Sequence, residues 1–331
     1  MYAITVDTHS TERALQWEQV ADPVAGPGDV IVDIHATSVN RADLLQRAGH
    51  YPPPPGAPDI LGLEMAGVVA DPGKTGSFDV GDRVCALLAG GGYAERVAVD
   101  HRLLLPVPDD WPLTRAAALP EVFLTAFLNL FGEGQLQEGE TVLIHAGASG
   151  VGSAGIQLAR HARCRVLASA GNDLKAERCR QFGAEFVCDS RDEDFADQVA
   201  GHLGEGGVDV ILDVAGGSHL SRNLRCLAPR GRLVLLSLLG GRQSDIDLGL
   251  VLTRRLKIIG SLLRSRPVDE KAQIVADFRE RFWDPLLTGA IAPVVDRVLP
   301  IADAEEAHDV LSANANIGKV VLEIRAEEIA E

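Results

Sequence analysis

The 331-residue chain has few cysteines and few positive charges, and each shortage closes off a class of protein. Its five cysteines, Cys85, Cys164, Cys179, Cys188 and Cys226, are odd in number and widely spaced. Neither a disulfide framework nor a paired-cysteine zinc site is expected from them, and reduced thiols suit the cytoplasm. Lysine and arginine number 31 against 47 aspartates and glutamates, a formal charge of −16. Such a field repels phosphate backbones, and no basic stretch offsets it, so nucleic acid is not an expected partner. No apolar run reads as long enough to cross a bilayer. The alternating start Met1-Tyr2-Ala3-Ile4-Thr5-Val6 lacks the basic segment and apolar core of an export signal, so no membrane association is expected. No serine or cysteine sits in a nucleophile motif, and His9, His35, His101, His219 and His308 lie in unrelated segments, read as core or surface residues.

What is present is a globular composition, 46% hydrophobic and 24% charged, on a chain long enough for two cores. Up to about Arg115, short alternating segments such as Val30–Ala36 and Val97–Val99 are broken by Gly and Pro, which predicts a β-rich unit. Within it, Asn40–Arg47 predicts a short helix, and Tyr51 leads into the proline run 52–55, a stiff loop. An apolar helix is expected around Leu124–Phe131. Strands are then expected at 141–145, 165–168, 186–188, 208–213 and 232–236, with helices at 152–161, 174–182 and 195–202 between them. That alternation predicts a parallel sheet covered on both faces. Beyond Arg264 the pattern returns to helix and strand, ending at Gly318–Ile324, a strand expected to rejoin the first unit. The acidic end, 327–331, reads as a solvated tail.

The strongest local signal is His145-Ala146-Gly147-Ala148-Ser149-Gly150-Val151-Gly152. A dinucleotide site needs a strand ending in a tight turn, little side-chain bulk, and a helix whose free N–H groups and dipole face the pyrophosphate. Gly147, Ser149, Gly150, Val151 and Gly152 meet this need between the apolar run Thr141–Ile144 and a helix carrying Ala154, Ile156 and Leu158. Ser149 stands where the general fingerprint has its second glycine, with Gly150 next to it. The following strand ends Ala168-Ser169-Ala170-Gly171 without the carboxylate that would bind ribose hydroxyls and repel a 2′-phosphate. Asn172 and Lys175 follow, so NADPH is expected over NADH. Asp173 complicates that preference, and Lys175 reads equally well as an ordinary helix lysine.

Five segments in order then carry a resemblance that spans nearly the whole chain: Asn40-Arg41-Ala42-Asp43-Leu44, Ile60-Leu61-Gly62-Leu63-Glu64, Leu143-Ile144-His145-Ala146-Gly147, Ser261-Leu262-Leu263-Arg264-Ser265-Arg266 and Asn316-Ile317-Gly318-Lys319. Together they resemble the zinc-free quinone oxidoreductases of the medium-chain dehydrogenase/reductase superfamily, related to zeta-crystallin and closest to the tumour-suppressor-inducible subgroup. The resemblance implies an α/β fold: a GroES-like catalytic domain from 1–120 and 265–331, and a Rossmann nucleotide domain from 121–264 inserted between, with the cofactor in the cleft. It places Asn40, Tyr51 and Thr125 near the nicotinamide, and Gly171, Lys175 and Ser190 near the adenosine phosphate. Ser190 departs from the tyrosine common there. Further cofactor contacts are implied at Ala215, Gly216, Ser237, Leu238, Leu239, Leu262 and Leu263, with Asn316 closing over the nucleotide. A homodimer or homotetramer is implied, paired through strand edges near 232–239 or 257–261.

Zinc enzymes of that superfamily carry Gly-His-Glu where this chain has Gly62-Leu63-Glu64, and a cysteine where the early helix offers Asn40 and Asp43. No metal is therefore expected. Without a Lewis acid a simple ketone would need a positioned proton donor, which the sequence does not announce. A quinone demands less, since its reduced product is a delocalised anion and catalysis becomes positioning and water exclusion. NADPH-dependent quinone reduction is the expected activity, with Tyr51 and Asn40 shaping the site. Tyr51 reads alternatively as loop filler against the prolines, and Asn40 as a helix cap. Reduction of 2-alkenal or enone double bonds, and a non-catalytic RNA-binding or structural role, are the competing readings.

Overall fold

The computed structural model describes the chain except for His9, 192–194, Glu205 and 328–331. The expectation for His9 and most of the acidic tail thus lies outside the described residues. Two compact units form: Met1–Val122 with Arg264–Arg281 and Pro293–Glu331, and Phe123–Leu263 with Phe282–Ala292. Phe282–Ala292, expected with the first unit, groups with the second. Phe282 packs edge-on against Phe127, with 5.9 Å between ring centroids, and Ala292 N–H donates to Gln157 Oε1 at 2.9 Å.

In the first unit the ten-residue strand Asp29–Ser38 is the spine. Val30, Val32, Ile34 and Ala36 alternate with outward residues and are fully buried, the two-residue period of a strand with one covered face. It pairs antiparallel with Glu64–Asp71, Arg96–Asp100 and the late strand Lys319–Glu323. The sheet continues through Arg83–Leu87 to Leu104–Pro106 on one side and to Val295–Pro300 on the other. Gly67 is required where the strands cross: a Cβ there would lie 2.1 Å from the Asp33 carbonyl oxygen. Ile4, Leu61, Tyr93, Ala307, Val320 and Leu322 build one core beneath.

The second unit is a six-stranded parallel sheet in the order Phe186–Asp189, Arg165–Ala170, Thr141–Ile144, Val208–Asp213, Leu227–Leu235, Lys257–Gly260. Strand order reverses between Thr141–Ile144 and Val208–Asp213, the switch point at which doubly wound sheets bind nucleotides. Its core contains Leu143, Leu167, Phe195, Val208, Ile211 and Leu233, all with no exposed surface. Burying a side chain of this size contributes roughly 1.5–3 kcal/mol.

One sequence expectation is corrected. Leu113–Glu133 forms a helical run of 21 residues, long and apolar enough by length and composition alone to cross a membrane. Its apolar window is 72% buried in the protein, the property of a core helix. The run was missed because Pro120 interrupts it in sequence; Pro120 is tolerated as the first residue of the segment Pro120–Phe127, where no intrahelical N–H is needed. Replacing Phe282 by Ala should remove about 3–5 kcal/mol from the second unit. A lower denaturant midpoint for the second unit would show this, and an unchanged midpoint would refute the assignment of Phe282 to its core.

Candidate active site

In the second unit the site starts from the buried strand Thr141–Ile144 and turns at Ala146, whose φ of 51° is left-handed. The helix Gly150–His161 follows, capped by Ser149, whose hydroxyl accepts from Gly152 N–H at 3.1 Å. The serine thus pins the helix start, a role glycine could not fill. A Cβ on Gly152 would lie 2.3 Å from the Ala146 carbonyl oxygen, and one on Gly147 would lie 2.8 Å from Cys179 Sγ. The turn is therefore as tight as its backbone permits, and the first helical N–H groups have no intrahelical acceptor. This cradle fits a pyrophosphate, with Gly147, Ser149, Gly150, Val151 and Gly152 as the residues that would hold it.

Beneath the turn lies a network that the motif alone did not show. His145 is buried, and its ring spans from Ser169 Oγ (2.9 Å from Nδ1) to Asn223 Oδ1 (2.7 Å from Nε2). Asn223 Nδ2 donates to Asp213 Oδ2 at 3.1 Å, and Asp213 Oδ1 accepts from Ala215 N–H at 2.7 Å. Since the Asn223 oxygen must accept, Nε2 carries the ring proton and Nδ1 accepts from the Ser169 hydroxyl. Burial pushes the His145 pKa down to about 4, so the ring is neutral at physiological pH. Through Asn223, on the helix Gly217–Cys226, the network ties the ends of three strands together.

Two groups stand out among the remaining predicted contacts in this unit. Gly171 and Ser190 are neighbours, a Cβ on Gly171 lying 3.7 Å from Ser190 Oγ. Lys175 sits in the first turn of Asp173–Phe182, its N–H capped by Asn172 Oδ1 at 2.9 Å. Asn172 is thus a helix cap. Ala215 and Gly216 meet the loop of Ser237, Leu238 and Leu239: Gly240 N–H donates to the Ala215 carbonyl at 2.6 Å, and a Cβ on Gly216 would lie 2.8 Å from Leu238 Cδ2. Leu262 is half exposed and Leu263 buried. Thr125 Oγ1 is buried without a hydrogen-bond partner, an orphaned polar atom of the kind a bound ligand satisfies.

In the first unit the residues matching the zinc locus form an internal ion pair. Lys319 Nζ lies 2.9 Å from Glu64 Oε1, with 4% and 0% of the two side chains exposed. The same ammonium donates to Asn40 Oδ1 at 2.6 Å and the Val39 carbonyl at 2.8 Å. Asn40 Nδ2 and Ser38 Oγ both donate to Glu64 Oε1, and Glu121 N–H donates to Oε2 at 2.9 Å. The Asn40 side chain is therefore committed to this pair, while Asp43 Oδ2 accepts from the Asn40 N–H at 2.7 Å. Leu63 is apolar, and among the described residues no three His, Cys, Asp or Glu side chains converge as a metal site. This donor set does not fit a zinc ion, because a cation already fills the carboxylate's coordination.

Tyr51 is half-buried and fixed from one side by Arg264, itself 3% exposed. The guanidinium carbon lies 5.2 Å from the ring centroid, while Nη2 donates to Gln46 Oε1 at 2.6 Å and Nε to the Ala89 carbonyl at 2.8 Å. Burial, followed by the nearby Glu121 carboxyl, raises the Tyr51 hydroxyl above its ordinary pKa, so it stays protonated. Asn316 bonds within its own loop, Nδ2 donating to the Gly318 carbonyl at 2.6 Å. Sequence reasoning missed Lys319, Arg264 and Glu121 as parts of this site. The only signal for Lys319 was a lone cation at the head of an apolar strand.

Two outcomes are expected. Gly152→Ala should weaken NADPH binding at least about tenfold, or 1.4 kcal/mol, in a fluorescence titration; unaltered affinity would exclude the turn as the pyrophosphate site. Lys319→Met should cost about 3–5 kcal/mol by stranding the Glu64 charge, and adding Glu64→Gln should restore part of that stability. Equal stability of Lys319→Met and the parent would rule out the pair as a structural tie.

Comparison with known proteins places these geometries in a family. Residues 150–280 match the family described as zinc-binding dehydrogenase, and residues 26–109 the alcohol dehydrogenase GroES-like domain. The chain is 30% identical to quinone oxidoreductase-like protein 2 of Mus musculus over 95% of its length and 90% of the relative's. Mycobacterial Rv1454c complexed with NADPH superposes with a TM-score of 0.88 at 30% identity, covering 98% of this chain and 100% of that one. CurK enoyl reductase superposes with a TM-score of 0.83 at 25% identity, covering 97% and 98%. With its GroES-like unit, its doubly wound parallel sheet and these relatives, the chain belongs to the quinone oxidoreductases of the medium-chain dehydrogenase/reductase superfamily and is an oxidoreductase.

Proposed function

We propose that the chain reduces ortho- or para-quinones with NADPH, without a metal. The observation that carries this reading is the Lys319–Glu64–Asn40 cluster at the zinc locus, which leaves no Lewis acid to polarise a carbonyl. An acceptor whose reduced form delocalises its own charge suits such a site. NADPH, when bound, supplies the hydride. Tyr51 supplies a protonated hydroxyl on a ring held by Arg264, and we assign it the acceptor oxygen. The likeness to an enoyl reductase supports a second reading, reduction of a 2-alkenal or enone, whose enolate has the same need for a hydroxyl partner.

Our reading of NADPH over NADH rests on the strand Arg165–Ala170 ending without a carboxylate and on Lys175 in the following turn. We also propose a homodimer formed through Lys257–Gly260. That strand pairs with Leu227–Leu235 at the end of the sheet and leaves Ile258 38% exposed. The five cysteines are thiols rather than disulfides, and we propose a reducing, cytoplasmic setting.

A panel of quinones and enones with NADPH and NADH, followed by loss of nicotinamide absorbance, tests the function. Turnover of quinones with NADPH is expected, and Tyr51→Phe should lower kcat by about 10–100-fold with NADPH affinity retained. Turnover of enones alone would select the second reading, and an unchanged kcat in Tyr51→Phe would reject the polar role of Tyr51.

A further inference from the structure

Three backbone segments of the second unit hang on a single chain of side chains: the glycine turn, the end of the strand Arg165–Ala170 and the loop at Ala215 and Gly216. Asp213, fully buried, accepts from Ala215 N–H at 2.7 Å and from Gly216 N–H at 3.2 Å. Its second oxygen accepts from Asn223 Nδ2 at 3.1 Å. A carboxylate only accepts, so the Asn223 amide must present its nitrogen there, which leaves Oδ1 to accept from His145 Nε2 at 2.7 Å. With its hydrogen on Nε2, the ring accepts at Nδ1 from the Ser169 hydroxyl, 2.9 Å away. The Ser169 oxygen then turns a lone pair to Ala146 N–H at 3.3 Å, while the Ser169 carbonyl accepts from Gly147 N–H at 2.9 Å. Ala146 is the left-handed residue of the turn, a conformation costly for a residue with a side chain. Every hydrogen in the chain thus points towards Asp213, and reversing one link reverses its neighbours. Among the described residues, His219 and Arg222 of the helix Gly217–Cys226 are the titratable and charged groups facing it. Burial pushes the His219 pKa down to about 4, so that ring, like His145, is neutral near physiological pH.

We propose that His145 and Asn223 are positioning residues for the dinucleotide, holding the three segments in the placement that receives it. The inference rests on the reading of this unit as an NADPH site and adds what sets the affinity of that site. Both side chains are buried, 3% and 0% exposed, and both act through the backbone that their hydrogen bonds hold. What matters at these positions is which atom carries the hydrogen, beyond the space each side chain fills. A carboxyl could replace the Asn223 amide only while protonated: its O–H would then donate to Asp213 and its carbonyl oxygen accept from His145, as the amide does. Once ionised it offers no donor and faces a second carboxylate, and the chain breaks at that link.

Asn223→Asp is therefore the decisive variant, because it keeps the shape of the side chain and makes the donor removable by pH. Measurements are made on the full-length protein: NADPH and NADH affinity by fluorescence from about pH 6 to about pH 9, thermal midpoints over the same range, and the ring nitrogens of ligand-free His145 by heteronuclear NMR, assigned by difference from His145→Gln. Titrations are run well below each midpoint, so weaker binding is read on folded protein. The parent should carry the His145 hydrogen on Nε2 alone. Relative to the parent at each pH, Asn223→Asp should bind NADPH within about twofold at pH 6 and at least about tenfold more weakly at pH 9. Should that variant not fold, Ser169→Ala carries the test, since it removes the oxygen that joins the ring to Ala146: weaker NADPH binding on folded protein supports the inference, and parental affinity overturns it. A ligand-free His145 protonated on Nδ1 also overturns it, as does an Asn223→Asp affinity that follows the parent across the pH range, and both leave the NADPH reading intact. A parent that binds neither NADPH nor NADH overturns that reading, and the positioning role with it.

Discussion

The first unit is organised around one buried ion pair, Lys319 with Glu64. Two unit charges 2.9 Å apart and out of water are costly to bring together unless every remaining donor and acceptor is satisfied, and here they are closely matched. The ammonium has three acceptors, in Glu64, Asn40 and the Val39 carbonyl. The carboxylate receives Ser38, Asn40 and the Glu121 N–H besides the lysine. Those partners come from the spine strand, the early helix, the last strand and the start of the long apolar helical run. The pair therefore ties residues nearly 280 positions apart. On the function we propose, the acceptor is met instead by Tyr51, whose ring lies beside Arg264.

The second unit solves a similar problem without a charge. His145 is neutral, donates from one nitrogen and accepts at the other, and so links the ends of strands that enter the nucleotide-binding edge. Keeping the ring uncharged lets it sit in the core at the cost of two hydrogen bonds rather than an ion pair. The tight turn above it is then set by sterics, with Gly147 and Gly152 each approached by atoms that would collide with a side chain. Rigid support below and lack of bulk above together make the first turn of Gly150–His161 accessible to an anion.

Much of this was readable in advance for a local reason. The strand–turn–helix around Gly147 depends on residues within one short window, so composition and spacing report it directly. The alternation of strands and helices from 141 to 236 is likewise local, and the elements expected there agree with those observed to within a few residues, apart from the strand Leu227–Leu235, whose early start is masked by Pro229 and Gly231, while the helix Gly217–Cys226 was not expected. The helical run Leu113–Glu133 was hidden by a proline that sits at the start of a segment rather than inside one. Asn40 shows the limit most clearly. Its sequence neighbours suggested a helix cap, and it is the N-cap of Arg41–Arg47, but its amide is also used by residues 24 and 279 positions away.

By itself the sequence determined that the chain builds a β-rich unit and a doubly wound unit, that its glycine turn has the form a dinucleotide site needs, and that Leu63 stands where zinc dehydrogenases carry a histidine. These are consequences of periodicity, of glycine where bulk is forbidden, and of residue types missing from short motifs. Only the tertiary structure decided which charges meet. Lys319 reaches Glu64, Arg264 lies over Tyr51, and Glu121 keeps one buried, unpaired carboxyl oxygen, because burial and electrostatics depend on distance in space and those neighbours are brought together by the fold rather than by the chain.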